Sequence, residues 1–269
     1  MIDRIDITKQ ELDVLVEESS ELFFDSPYGF LRSHGGFRPG KLHTILGTSG
    51  GGKSTLVRSI LLSTINAYKN KNFLLWLSEE TENDFLTEMH RAKFSENLYK
   101  PLHLFSEIDN MDYRGKLLFY VREYIIKNKI ELVIFDNITT SSMYADVTIK
   151  QQTEFAKALK QLALQTNAAL VIIAHTGAGI TENSSRLIDM NDIRGAKTIV
   201  NLSEFFYVLQ SFQIENHIFP TITIRKHRGQ EAKSKMFRLK YDPVYRLYTS
   251  DAELSFKDFK DAFKRKNTL

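Results

Sequence analysis

The chain has 269 residues, of which 42% are hydrophobic and 26% charged, so it carries enough apolar surface to bury a sizeable core. It contains no cysteine, which excludes a disulfide-stapled scaffold, a thiolate metal site and a cysteine nucleophile. Charge is divided unevenly: residues 1–30 hold eight acids against two bases, and residues 221–269 hold thirteen bases against six acids. That asymmetry suits contacts between copies or a polyanion near the C-terminal part, and equally two differently charged solvated faces.

The first residues lack a basic head followed by an apolar run, so no signal peptide is expected. The longest apolar stretches, such as 168–174, fall far short of the roughly twenty residues a membrane span needs. A cytoplasmic protein without a membrane segment is the expectation. Residues 8–24 place Leu12, Leu15, Val16, Leu22 and Phe23 at mostly helical spacing behind Thr8 and Glu11, which predicts an amphipathic helix in an N-terminal arm, 1–27. Glycine and proline cluster in 28–40 and predict a loop.

From there short apolar runs at 42–46, 73–77, 102–105, 132–135 and 170–174 alternate with helical patterns near 53–69, 82–95, 113–128 and 150–166. Strands apolar throughout are buried on both faces, so this alternation predicts an α/β fold with a mostly parallel sheet flanked by helices. After residue 204 four strand-like runs follow without an intervening helix, near 204–210, 219–226, 234–240 and 245–249, predicting an antiparallel extension. The main domain is expected over 28–250. Ser250 and Glu253 read as a capping box opening a basic C-terminal helix or tail over 251–269, with Leu254, Phe256, Phe259 and Phe263 among lysines.

The strongest chemical signal is residues 47–54, GTSGGGKS, directly after the run HTIL and directly before STLVRSILLSTI. This is the G-x-x-x-x-G-K-[ST] pattern in its strand-to-helix context. Gly47, Gly50, Gly51 and Gly52 let backbone N–H groups turn inward and form, with the helix N-terminus, a cradle for the phosphates of ATP. Lys53 is expected on the β- and γ-phosphates, Ser54 on Mg²⁺, and Thr55 beside them in the first turn. Asp136 ends the apolar run LVIFD and is the candidate to hold Mg²⁺. The run 73–77 ends in SEET, making Glu79 or Glu80 the candidate base for the attacking water. His175 ends the run 169–174 and is a candidate contact to the γ-phosphate.

Over about residues 34–248 the chain resembles the RecA-like ATPases, and within them the hexameric replicative helicases of the DnaB type, including small plasmid RepA helicases. The resemblance rests on GGFRPGKLHTILGTSGGGKSTL, LSEET, LVIFD, AHTGAG, DIRGA at 192–196 and RKHRG at 225–229. It implies Glu80 rather than Glu79 as the base, and His175 as the polar residue ending the third motif. It also implies that Lys226 and Arg228 reach the neighbouring subunit's ATP site as an arginine finger.

By the same resemblance, single-stranded DNA is expected against loops 137–149 and 176–194 in the centre of a homo-oligomeric ring, a hexamer by analogy with that family. Only Arg186 and the boundary residues Lys150 and Arg194 are basic there. The functional expectation is a Mg²⁺- and ATP-dependent motor that moves on single-stranded nucleic acid and unwinds duplex DNA. The alternative is a RecA-fold ATP-gated binding, regulatory or recombination ATPase without unwinding.

Overall fold

The computed structural model describes residues 28–33, 35–91, 100–109, 116–177, 179–180, 186–214, 217–227 and 235–255. The N-terminal helix expected over 8–24, Arg228 and the tail from residue 256 lie outside the described residues.

Among the described residues nine strands form one sheet: β1 Leu42–Gly47, β2 Asn72–Leu77, β3 Leu102–Ser106, β4 Ile130–Asp136, β5 Ala169–His175, β6 Phe205–Ile214, β7 His217–His227, β8 Met236–Asp242 and β9 Leu247–Leu254. Their order is β3-β2-β4-β5-β1-β6-β7-β8-β9. Pairing is parallel from β3 to β6 and antiparallel from β6 to β9. This is the RecA-like α/β architecture with the antiparallel extension that the change of pattern after residue 204 predicts.

The central strands are buried along nearly their whole length, which is why apolar residues stand on both faces rather than at alternate positions. Helices α1 Gly29–Arg32, α2 Lys53–Ala67 and α3 Glu82–Arg91 cover one face. Leu56, Ile60 and Phe85 meet Ile45, Leu75, Ile134 and Val171 there. Helices α4 Leu117–Lys127, α5 Ile149–Thr166 and α6 Thr198–Leu202 cover the other, where Val121, Phe155 and Leu159 meet Trp76, Phe135 and Ile172. Truncating one of these buried aliphatic side chains to alanine costs about 2–5 kcal/mol.

Two local expectations are corrected. The run 28–40 is not all loop, because Gly29–Arg32 forms a short helix whose Gly29 and Phe30 N–H groups donate to the Asp251 carboxylate at 2.6 and 2.8 Å. Ser250 and Glu253 do not open a helix: β9 continues to Leu254, pairing Ser250 with Lys240 and Glu253 with Phe237. The pairing partner on β8 supplies backbone hydrogen bonds that a local capping box cannot outweigh.

Parallel pairing with matched register aligns the strand ends. Leu77 lies beside Asp136, and Gly47 beside His175. The residues that follow β1, β2, β4 and β5 therefore converge on one edge, where open α/β sheets bind their ligands.

Candidate nucleotide site

The loop after β1 turns back through Gly50 and Gly52, both at positive φ, with Gly52 at φ +84° as the N-cap of α2. A side chain at Gly52 is doubly excluded, since a Cβ there would stand 2.5 Å from the Tyr248 hydroxyl of β9. The first-turn N–H groups of α2 lack intrahelical acceptors and carry the positive end of the helix dipole, so they face the loop as an anion site. Ser54 and Thr55 occupy that first turn.

Lys53 is almost wholly buried, and its ammonium donates to the Thr48 carbonyl of its own loop at 2.5 Å. The Ser54 hydroxyl hydrogen-bonds Asp136. Burial of Asp136 pushes its carboxyl up to about 6, against the opposing pull of the Ser54 hydrogen bond and the Lys53 charge, and Glu79 adds to the rise. A carboxylate that costs this much to keep ionised is stabilised by a cation. Among the described residues no three His, Cys, Asp or Glu side chains cluster as a closed metal cage. The donor set fits Mg²⁺ held by one hydroxyl and one carboxylate, with water and phosphate oxygens completing its shell.

The two glutamates after β2 differ in surroundings. Both carboxylate oxygens of Glu80 accept from Arg58 of α2, at 3.1 and 3.4 Å, and the Ser106 hydroxyl donates to the Glu80 carbonyl at 3.1 Å. Burial raises the Glu80 carboxyl above its ordinary value, with Arg58 opposing and Asp136 reinforcing the rise. Glu79 is exposed, and its Oε1 stands 3.8 Å from His175 Nε2. Burial holds the His175 imidazole below its ordinary value, helped by the Lys53 charge and opposed by Glu79.

Lys226 is not brought to this edge. It pairs with Phe206, at the level of Thr44 near the start of β1, and its ammonium donates to the Val200 and Asn201 carbonyls at the end of α6. The first expected DNA loop is also less open than anticipated: Asn137, Ile138, Thr139, Ser141 and Tyr144 are buried. Arg186 is exposed and forms a two-pronged ion pair with Asp192 at 3.0 and 2.8 Å.

Sequence reasoning missed Arg58, Asn137 and Glu107. Arg58 had a signal, as the one charged residue of Lys53–Ala67 besides the loop lysine. Glu107, just after β3, accepts from Trp76 Nε1, the Ser141 hydroxyl and the Ser142 N–H and hydroxyl, which pins the loop after Asp136. Nothing local to its sequence position announces that role.

No family model matches the chain, and no curated protein matches its sequence. Among solved structures, the chain is similar to a KaiC-like protein of the hyperthermophilic archaeon Pyrococcus horikoshii, with a TM-score of 0.65. The two share 16% identity over 86% of this chain and 97% of that one. The likeness establishes the shared RecA-like fold. Among the described residues no helix is long and apolar enough to cross a membrane.

Proposed function

We propose that the protein is a Mg²⁺-dependent ATPase of the ring-forming motor type, which moves along single-stranded nucleic acid and opens duplexes. One observation carries the ATPase reading: the Gly47–Ser54 loop, Asp136, the Glu79–Glu80 pair and His175 gather at one sheet edge, in the arrangement phosphoryl transfer requires. Bound Mg²⁺ would draw charge from the phosphate oxygens, held by Ser54 and Asp136. Lys53 would exchange the Thr48 carbonyl for a phosphate oxygen. Of the two glutamates, Glu79 is the better-placed base, because Arg58 already engages both oxygens of Glu80.

Assembly is supported by the place of Lys226. Within one chain it sits at the level of the strand starts, away from its own phosphate loop, so a role for Lys226 in hydrolysis requires the site of another copy. A second reading is an ATP-gated regulatory module without unwinding. The ion pair of Arg186 with Asp192 favours it, since that guanidinium is already satisfied. Phosphate release with and without single-stranded DNA, beside a strand-displacement assay, separates the two. Stimulation together with displacement supports the motor; a rate indifferent to DNA and RNA, with no displacement, supports the module.

A further inference from the structure

Tyr248 of β9 reaches the phosphate loop along the flank of α2. Its backbone N–H donates to the Ser59 hydroxyl at 2.9 Å, and Ser59 donates in turn to the Thr55 carbonyl at 2.6 Å. Ser59 lies about two turns beyond Gly52, so the ring runs back along the helix toward its N-terminal end. It arrives hydroxyl first: from the position of a Gly52 Cβ the hydroxyl oxygen is 2.5 Å away, Cζ 3.5 Å and Cε2 3.8 Å. The strand that carries it is held in place, because the Tyr28 hydroxyl donates to the Tyr248 carbonyl at 2.5 Å and Asp251 receives the first N–H groups of α1.

Tyr248 is 7% exposed, and both of its hydrogen bonds are made by its backbone. Among the described residues its hydroxyl has no partner. A buried hydroxyl left unpaired costs free energy, so this one is set for an acceptor that the chain itself does not supply. Burial pushes the phenol up to about 12, which keeps it a donor at neutral pH. The helix end it meets already presents unpaired N–H groups to an anion.

The side of approach decides which part of the anion it meets. At about 100° per residue, Ser54 stands roughly 140° around the helix from Ser59, whereas Thr55 stands within about 40° of it. Ser54 faces Asp136. Tyr248 therefore enters on the flank turned away from the metal ligands, which serve the β- and γ-phosphates, and toward the α-phosphate end of the chain.

We propose that Tyr248 is a nucleotide-binding residue whose hydroxyl donates to a non-bridging oxygen of the α-phosphate. The inference rests on the ATPase reading and deepens it, giving the antiparallel extension a part in holding the nucleotide. ATP and ADP share that phosphate, so the contact contributes binding rather than rate.

Tyr248→Phe keeps the ring and removes the hydroxyl, and calorimetric titration with Mg-ADP and Mg-ATP reads the effect without turnover. Both affinities should fall about tenfold, as for loss of a hydrogen bond to a charged acceptor, while single-turnover hydrolysis at saturating Mg-ATP stays within about twofold of wild type. Affinities within about twofold of wild type overturn the proposal. A loss confined to Mg-ATP also overturns it, since the hydroxyl would then meet the γ-phosphate. In wild-type protein carrying ¹³C at tyrosine Cζ, ¹³C–³¹P dipolar recoupling of the Mg-ADP complex should find a Cζ within about 5 Å of the α-phosphorus. No such Cζ overturns the proposal whether or not the variant folds. Wild-type protein that binds neither nucleotide contradicts the ATPase reading and takes this inference with it.

Discussion

Arg58 holds Glu80 by both carboxylate oxygens, at 3.1 and 3.4 Å, and its guanidinium also lies 5.8 Å from the Phe85 ring centre. The pair is four-fifths shielded, so it joins the helix that follows the phosphate loop to the segment bearing the glutamates. Two adjacent acids are thereby given different work. Glu79→Gln should retain ATP binding and lose about 10²–10⁴-fold in turnover, the span of a general base. Glu80→Gln should act mainly on stability, by roughly 1–3 kcal/mol, through a weakened charge-assisted pair. Turnover and thermal unfolding measured on both variants check the division; the reverse pattern would return the base to Glu80.

Asp136 gives a pH dependence whose sign is fixed by its environment. A carboxyl raised from 3.8 to about 6 in the folded chain binds its proton more tightly than in the unfolded one. Its contribution to stability is therefore complete below about pH 4 and is lost as pH rises through about 6, a change on the order of 3 kcal/mol. Metal-free wild-type protein should lose stability over this window relative to Asp136→Asn. Mg²⁺ should restore it at neutral pH. Parallel stability curves for the two proteins would refute the burial argument.

Much of this site is legible in the sequence, for physical reasons that also explain the omissions. The strand runs carry apolar residues on both faces because both faces of β1, β4 and β5 are covered, and Gly50 and Gly52 of the phosphate loop occupy a positive-φ backbone region that other residues rarely adopt. These are local constraints, so they leave local marks. The helix at Gly29–Arg32 is capped by Asp251, and Glu107 is met by Ser141 and Ser142, partners far away in sequence. Such partners exist only once the sheet has brought its strands together. The same holds for Asn137, whose amide meets His175 at the end of β5.

Gly195 tests how firmly the two loops beyond β4 and β5 are latched together. It sits at φ +88°, and a Cβ there would lie 2.7 Å from Gln152 Oε1 and from the Tyr144 ring and hydroxyl. Those same groups receive the Ala196 N–H, at 2.9 and 2.8 Å. Gly195→Ala should cost roughly 2–4 kcal/mol, combining backbone strain with overpacking. Thermal or denaturant unfolding reads this directly, and a loss under 0.5 kcal/mol would mean that the latch yields freely.

Arg228 should act only between copies. Arg228→Ala is expected to bind ATP and lose hydrolysis, because the charge on the transferring phosphoryl group is no longer offset. Mixed with Lys53→Ala, it should recover part of the activity at interfaces that pair an intact loop with an intact arginine. Phosphate release across a series of mixing ratios checks this; a flat series would place the arginine in its own site or in none.

The central claim is hydrolysis of Mg-ATP at the loop after β1, and steady-state phosphate release tests it most directly. Wild-type protein should release phosphate from ATP only when Mg²⁺ is present, and Lys53→Ala should fall at least about 100-fold below it, since the loop lysine is the main cation on the transferring phosphoryl group. Equal rates for the two proteins, or a wild-type rate unchanged by chelating Mg²⁺, would contradict the account.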